Sequence, residues 1–330
     1  MKILFIGGTG NISGACTRLA LSRGFEVTHL NRGISENPFG TSVRTLSADI
    51  NNSAAMNKVL KNEFFDVVAN FIVFTPEEIH RDFNLFHKKT NQYIFISSAS
   101  AYQKPPTHPV ITESTPLKNP FWQYSRDKIA CENLLNSYYQ DKDFPITIIR
   151  PSLTYETVIP AAIGSWDDFT LVDRIRQGKP IIVHGDGTSL WTITHSEDFA
   201  KGFVGLLGHQ QAIGHSFHIT SDEILCWNQI YEAIGIAAGK EPDMVHIPSD
   251  FIASYDDFHT GNLLGDKAYS VIFDNSKIKS YVPDFKATIA FKVGIKRAIE
   301  WFEEKPSRMT IKKETNEFID KVIHAYSNLK

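Results

Sequence analysis

Short apolar runs alternate with helical stripes through the first half of the chain. Ile3–Ile6, Glu26–Leu30, Val67–Ile72, Tyr93–Ser97 and Ile146–Ile149 are apolar enough to predict strands buried on both faces. Between the first two, Ile12, Ala15, Cys16, Leu19 and Ala20 recur at helical spacing, and Gly24 stands where such a helix would stop. From Tyr124 onward, Cys131, Leu134, Leu135 and Tyr138 mark a second amphipathic helix. This alternation predicts an α/β protein built on a Rossmann-type, doubly wound parallel sheet. The second half is less regular. Phe169–Gln177 and Ser196–Leu207 read as helices, Pro180–His184 and Leu190–Thr194 as strands, and residues past about Ser221 as short helices among Asp-, Gly- and Pro-rich loops. The expected division is a dinucleotide-binding domain over residues 1–160 and a smaller C-terminal α/β substrate-binding region over 161–330, with 190–208 returning to the first domain. Near the end, Phe318, Ile319, Val322, Ile323 and Tyr326 form one apolar stripe, expected to dock on the body of the protein.

Composition narrows the picture slightly. With 330 residues the chain can form one large core or two fused ones. Lys and Arg total 34 against 37 Asp and Glu, a net charge of -3, which disfavours nucleic acid and anionic membranes as partners. Cys16, Cys131 and Cys226 are far apart and match no zinc spacing, and the histidines show no ligand spacing, so no metal is expected. The first apolar run stops at Gly7, too short for a signal-peptide core, and no stretch has membrane-spanning length. A cytoplasmic protein is the default expectation.

Candidate chemistry begins at Gly7-Gly8-Thr9-Gly10-Asn11-Ile12-Ser13-Gly14, between the first strand and the first helix. Glycines there allow a tight turn and let a pyrophosphate approach the backbone, whose free amides and helix dipole favour the anion. Ser13 stands where the third glycine of such loops usually lies. The second strand ends at Asn31-Arg32-Gly33 rather than at an acidic residue. A carboxylate would hydrogen-bond the adenosine ribose, whereas a guanidinium can pair with a 2′-phosphate, so NADP is favoured over NAD. Stacking of Arg32 on adenine is the competing role. Asp49, after the third strand, is placed to accept from the adenine amino group.

Tyr124 and Lys128 lie one helical turn apart, a spacing at which an ammonium can stabilise a phenolate. Tyr138…Lys142 and Tyr326…Lys330 match the same pattern without supporting context and read as solvated helix ends. Tyr124 differs because Ser97-Ser98-Ala99-Ser100 closes the fifth strand upstream, and ligands of parallel sheets sit at the carboxyl ends of strands.

Taken together, these segments resemble the extended or atypical short-chain dehydrogenase/reductase superfamily, in its NAD-dependent epimerase/dehydratase branch. The markers are GGTGNIS at Gly7–Ser13, Asp49-Ile50, FISSASAY at Phe95–Tyr102, TESTPL at Thr112–Leu117, YSRDK at Tyr124–Lys128 with Glu132 and Leu135, IRP at Ile149–Pro151 and HSEDFA at His195–Ala200. The GGTGNIS and NRG wording is more similar to bacterial relatives of the chloroplast stem-loop-binding proteins than to typical sugar epimerases. The resemblance implies that Tyr124 is the acid/base, that Lys128 holds the nicotinamide ribose and tunes Tyr124, and that Ser98 hydrogen-bonds the reacting oxygen. It implies cofactor contacts from Gly7, Thr9, Gly10, Asn11 and Ile12, from Asn31, Arg32, Asp49 and Ile50, from Asn70, Phe71, Ile72 and Val73, and from Pro151 and Ser152.

Departures from the branch bear on the substrate. The asparagine that nucleotide-sugar members carry after the sixth strand is absent from Arg150-Pro151-Ser152-Leu153-Thr154-Tyr155-Glu156, and their diphosphate-gripping arginine is Trp191 here. Ala99-Ser100 replaces the Asp-Glu pair of the sugar 4,6-dehydratases, which disfavours a dehydratase. Expected substrate contacts are Ser100, Trp122, Leu153, Tyr155 and Trp191, with Trp166 also flanking the cleft. His195 is expected to be structural, and Glu113 and Asp198 to order loops. The resulting expectation is an NAD(P)-dependent oxidoreductase acting on a hydroxyl or ketone of a carbohydrate-like small molecule, with a homodimer as a candidate assembly. An epimerase that retains its cofactor, and a non-catalytic RNA-binding member, are the alternatives.

Overall fold

The computed structural model describes residues 1–32 and 38–329. Gly33 of the NRG wording and Lys330 of the third Tyr–Lys match lie outside the described residues. Seven strands form the central sheet: β1 (Lys2–Ile6), β2 (Glu26–Asn31), β3 (Arg44–Ser47), β4 (Val67–Asn70), β5 (Tyr93–Ile96), β6 (Ile146–Arg150) and β7 (Ser216–His218). Their order is β7-β6-β5-β4-β1-β2-β3, and every pair is parallel. Every residue of β4, β5 and β6 is buried, which is why these strands read as unbroken apolar runs.

Helices cover both faces. On one, α1 (Asn11–Ser22) shares a core with the helix Ser196–Leu206 through Ala15, Cys16, Phe199 and Phe203. On the other, α2 (Ser53–Val59), α3 (Pro76–Phe86) and α4 (Gln123–Lys142) bury Met56, Ile79, Phe86, Cys131 and Leu135 against the sheet. The start of α3 is written locally: Thr75 precedes Pro76, and the Glu78 carboxylate accepts from the Thr75 and Phe74 amides, a capping box. Tyr138 is not a solvated helix end; it is buried against Phe83, with its hydroxyl 2.6 Å from His80 Nδ1.

The second half is more regular than its composition suggests. It contains α5 (Thr170–Gln177), α6 (Ser196–Leu206, introduced above), α7 (Trp227–Ala238), a π-helical segment at Thr260–Lys267, α8 (Phe291–Glu303) and α9 (Lys313–Ser327). The single strand expected over Leu190–Thr194 is two: Leu190–Trp191 pairs antiparallel with Leu225–Cys226, and Ile193–His195 pairs parallel with Leu153–Tyr155. The three-residue β7 has too short an apolar run to be read from the sequence, yet it extends the sheet beyond β6. The stripe on α9 docks on the body: Ile319 and Val322 are fully buried, worth roughly 1.5–3 kcal/mol each. Buried Arg174 pins the helix by donating to Asn316 Oδ1 at 2.9 Å and Asp320 Oδ1 at 2.6 Å. No helix among the described residues is long and apolar enough to cross a membrane.

Candidate active site

Two cavities open at the carboxyl ends of the strands, where parallel sheets place ligands. The first, about 390 Å³, lies above the glycine loop and is lined by Ile6, Gly7, Thr9, Leu30, Asn31, Arg32, Ala48, Asp49, Ile50, Asn51 and Ile72. Gly7 has φ +77°, and a Cβ there would come within 2.6 Å of Ile72 Cγ2, so only glycine fits. At Gly8 a Cβ would meet the buried His29 ring at 2.4 Å. Ser13, the departure from the usual glycine, closes the loop. Its hydroxyl donates to the Gly7 carbonyl at 2.6 Å and accepts from the Gly10 amide at 2.9 Å.

These residues fit a dinucleotide. The outer face of Gly10 is open, since a Cβ there would approach Ser13 Oγ alone, at 3.4 Å. Beyond it the first amides of α1 have no intrahelical acceptor and point where an anion would sit. Arg32 is exposed at the rim, and Asp49 accepts from the Asn51 amide at 2.9 Å.

Several expected cofactor residues act by shape instead of lining this pocket. Asn70 is fully buried; its amide donates to Asp82 Oδ2 at 2.5 Å and its carbonyl accepts from the Ile72 amide at 3.0 Å, which fixes the turn after β4. Phe71 packs on Phe5 and Phe203. Asn11 donates to Thr154 O at 2.9 Å and accepts from the Thr157 amide at 3.1 Å, lashing the start of α1 to the segment after β6, and Ile12 packs into the core beneath.

The second cavity, about 630 Å³, lies at the ends of β5 and β6, the next strands across the sheet from β4. Ser98, Ser100, Trp122, Tyr124, Pro151, Ser152, Leu153, Trp166 and Trp191 all line it. Tyr155 does not. Its ring is packed against His195 and Phe291, and its hydroxyl donates to the Phe291 carbonyl at 3.3 Å, so it serves the core.

Tyr124 stands near the start of α4. Burial pushes its pKa up to about 12, and a hydrogen bond with Ser98 pulls the other way. Ser98 belongs to a hydroxyl chain: Ser125 Oγ donates to Ser100 Oγ at 2.7 Å, and Ser100 Oγ lies 2.9 Å from Ser98 Oγ. Lys128 is buried, and burial lowers its pKa to about 8. Its ammonium donates to Val73 O at 2.5 Å and Ile96 O at 2.9 Å, and lies 5.7 Å from the Tyr124 ring centroid. Lys128 therefore bridges the ends of β4 and β5 beneath Tyr124.

Below the site, buried Glu132 accepts a two-nitrogen grip from Arg150, at 3.0 Å from Nε and 2.6 Å from Nη2, and also the Ser97 hydroxyl at 2.5 Å. This ties α4, β5 and β6 together. His195 caps α6, its Nδ1 accepting from the Glu197 amide at 3.3 Å. Asp198 accepts from the Thr288 and Ile289 amides at 2.9 and 2.8 Å, and Glu113 Oε1 from the His218 amide at 3.3 Å, so both order loops.

The sequence reading misses Asn119, Lys104, Asp266 and Lys267. Asn119 donates to Ser100 O at 2.8 Å and Gly265 O at 2.7 Å while accepting from the Phe121 and Trp122 amides at 3.1 and 3.2 Å. Its position before a proline, ahead of a helix, is the local signal that could have flagged it. Lys104, Asp266 and Lys267 also line the cavity; Asp266 and Lys267 carry no such signal, and Lys104, though it precedes Pro105, is not followed by a helix. No cluster of residues suited to hold a metal occurs among the described residues.

Residues 3–220 match the model of the NAD dependent epimerase/dehydratase family. The chloroplast stem-loop binding protein of 41 kDa b of Arabidopsis thaliana is 28% identical, over 76% of this chain and 67% of its own length. The 2'-dehydrokanamycin reductase of Streptomyces kanamyceticus is 22% identical, over 77% of this chain and 71% of its own. Among solved structures, the UDP-glucuronic acid 4-epimerase from Bacillus cereus, in complex with UDP-glucuronic acid and NAD, shares the fold. Its TM-score is 0.72, with 20% identity over 92% of this chain and 99% of that one.

Proposed function

The chain belongs to the NAD dependent epimerase/dehydratase family, and from that premise we propose that it is an NAD(P)-dependent oxidoreductase acting on a hydroxyl or ketone of a carbohydrate-like small molecule. The observation that carries this reading is the meeting of Ser98 and Tyr124 in the wall of the larger cavity, one strand away from the glycine-loop pocket.

When bound, the nicotinamide supplies the hydride acceptor or donor. The chain's own residues handle the proton. With its pKa near 12, the Tyr124 phenol is protonated at neutral pH and is a ready proton donor to a ketone oxygen. In the reverse direction it must accept a proton, and the Ser98 hydrogen bond favours that phenolate. The Ser125–Ser100–Ser98 chain orients the Ser98 hydroxyl towards the reacting oxygen. Lys128 is assigned to the nicotinamide ribose and to the electrostatics of Tyr124, a role supported by its place under the ring.

The neighbouring structures include NAD complexes. Preference of this chain for NADP is a further part of the proposal and rests on Asn31 and Arg32 at the end of β2. An epimerase reading, with a retained cofactor and no net redox change, draws support from a relative named UDP-glucuronate 4-epimerase. An RNA-binding reading draws on the stem-loop binding relative but finds no basic excess in a chain of net charge -3.

The test is to identify by mass spectrometry which nicotinamide and small molecule copurify, and then to screen sugar oxidation with wild type and Tyr124→Phe. Removing the acid/base is expected to lower kcat by roughly 100- to 10,000-fold. Equal turnover by both proteins refutes the assignment of Tyr124. Salt-sensitive RNA binding untouched by Tyr124→Phe supports the RNA reading instead.

A further inference from the structure

The charges of the larger cavity are segregated. At its mouth one ammonium, Lys312 Nζ, faces two carboxylates, Asp167 Oδ1 at 2.7 Å and Asp168 Oδ2 at 3.3 Å. At its inner end the balance reverses, and the ammonium groups of Lys104 and Lys267 share the single carboxylate of Asp266. Lys267 donates to Asn262 Oδ1 at 2.7 Å and to Asp266 Oδ2 at 3.2 Å. The π-helical segment puts Asn262 and Lys267, five residues apart, on one face.

Lys104 is less well served. Its side chain is 2% exposed, its ammonium lies 3.9 Å from Asp266 Oδ1, and among the described residues it makes no hydrogen bond. It sits 5.7 Å from the Trp191 ring centroid, and the buried Trp191 Nε1–H has no acceptor among the described residues. A buried indole N–H without an acceptor, and beside it an ammonium held by a single ion pair at 3.9 Å, are costly unless a ligand completes them. Repulsion from Lys267 adds to that cost at Lys104. Asp266 also acts electrostatically on Tyr124, so this cluster lies beside the proposed acid/base.

We propose that the inner end of the cavity is an oxyanion subsite: the substrate is a hydroxy or keto compound bearing a carboxylate or a phosphate monoester, held by Lys104, Lys267 and Trp191 Nε1 beside Tyr124. This rests on reading the cavity as the substrate site. No arginine lines the cavity among the described residues. Forked, two-point grips on extended phosphate groups are the province of arginine, whereas lysines make point contacts suited to a compact anion.

The test uses wild-type protein saturated with NAD or NADP and four probes: D-glucuronate, glucose 6-phosphate, D-glucose and UDP-glucose. Binding is followed by calorimetry and by quenching of tryptophan fluorescence. One or both of the acid-bearing hexoses are expected to bind at least about tenfold tighter than glucose, the gain expected of charge-assisted hydrogen bonds. Which of the two binds tighter separates carboxylate from phosphate. K104M and K267M should each abolish the advantage, K104R should keep most of it, and W191F, which keeps a ring but loses the N–H, should reduce it severalfold. Dinucleotide affinity and melting temperature serve as folding controls, and the milder K104R and W191F variants decide the matter if the methionine variants do not fold.

Equal binding of acidic and neutral hexoses overturns the proposal, as does an advantage that survives all the substitutions. Tightest binding by UDP-glucose, unaffected by them, overturns it too. Failure of the wild type to bind either dinucleotide instead refutes the proposed function itself.

Discussion

The pocket above the glycine loop and the cavity beside Tyr124 are walled in different ways. The first takes its lining from residues 6 to 72, at the carboxyl ends of four neighbouring strands. The second gathers residues from 98 to 315, including a π-helical segment and the approach to the last helix. Steric necessity governs the first: Gly7 and Gly8 have no room for a methyl group, and Ser13 closes the turn from within. Charge distribution governs the second, with carboxylates outnumbering lysines at its mouth and lysines outnumbering carboxylates at its inner end. A ligand pocket made by backbone shape tolerates few residue types, whereas one made by side-chain chemistry can differ widely between proteins of one fold.

Acid should strain both regions together, through a buried histidine in each. His29 lies under the glycine loop and His184 behind the cavity wall, where its Nε2 is 3.0 Å from the Lys267 carbonyl; burial lowers both pKa values to about 4. Each Nδ1 is buried without a partner among the described residues. Because the folded pKa lies below the unfolded value near 6.5, this stability is present above that value and is lost as pH falls towards 4. The loss is about 3 kcal/mol for each histidine. Denaturant melts between pH 7 and 4 should show it, and His29→Asn and His184→Asn should each flatten the acid slope. A slope unchanged in both variants removes these histidines from the account.

Next in size is Gly8→Ala, which drives a Cβ into the His29 ring and is expected to destabilise by roughly 1–3 kcal/mol. Thermal unfolding measures this, and a melting temperature equal to wild type contradicts the steric reading of the loop. The smallest effect belongs to Arg32→Ala, at the exposed rim. It should weaken NADP about tenfold and leave NAD nearly unchanged, as expected for loss of a charge-assisted contact with phosphate. Parallel titrations of the two dinucleotides check it, and equal loss for both assigns Arg32 to adenine stacking.

The same contrast explains what could be read from the chain. Strands β1, β2, β4, β5 and β6 are buried on both faces and announce themselves as apolar runs, and the glycine loop is contiguous, so its neighbours in space are its neighbours in sequence. Asn11 and Asn70 show a limit even there, since residue type and position do not reveal that one amide ties α1 to the segment after β6 and the other fixes the turn after β4. Tyr155 shows another: aromatics next to a pocket segment face either the wall or the core, and burial behind α8 decides for the core. Lys104 and Lys267 lie far apart in the chain and meet only through tertiary packing. No period or spacing marks them, and as lone lysines they look like solvated surface.

The Asn119 side chain has one further consequence. Its amide is engaged on both nitrogen protons and its oxygen by the serine loop, the entry to α4 and the π-helical segment. Anyone re-engineering specificity thus meets a shared hinge-pin: altering the backbone at Gly265 also disturbs the register of Ser100 and the seat of Trp122. New preferences are best sought at residues outside that joint, such as Leu153 or Trp166, where the lining can be redrawn while Ser98 and Tyr124 stay in place.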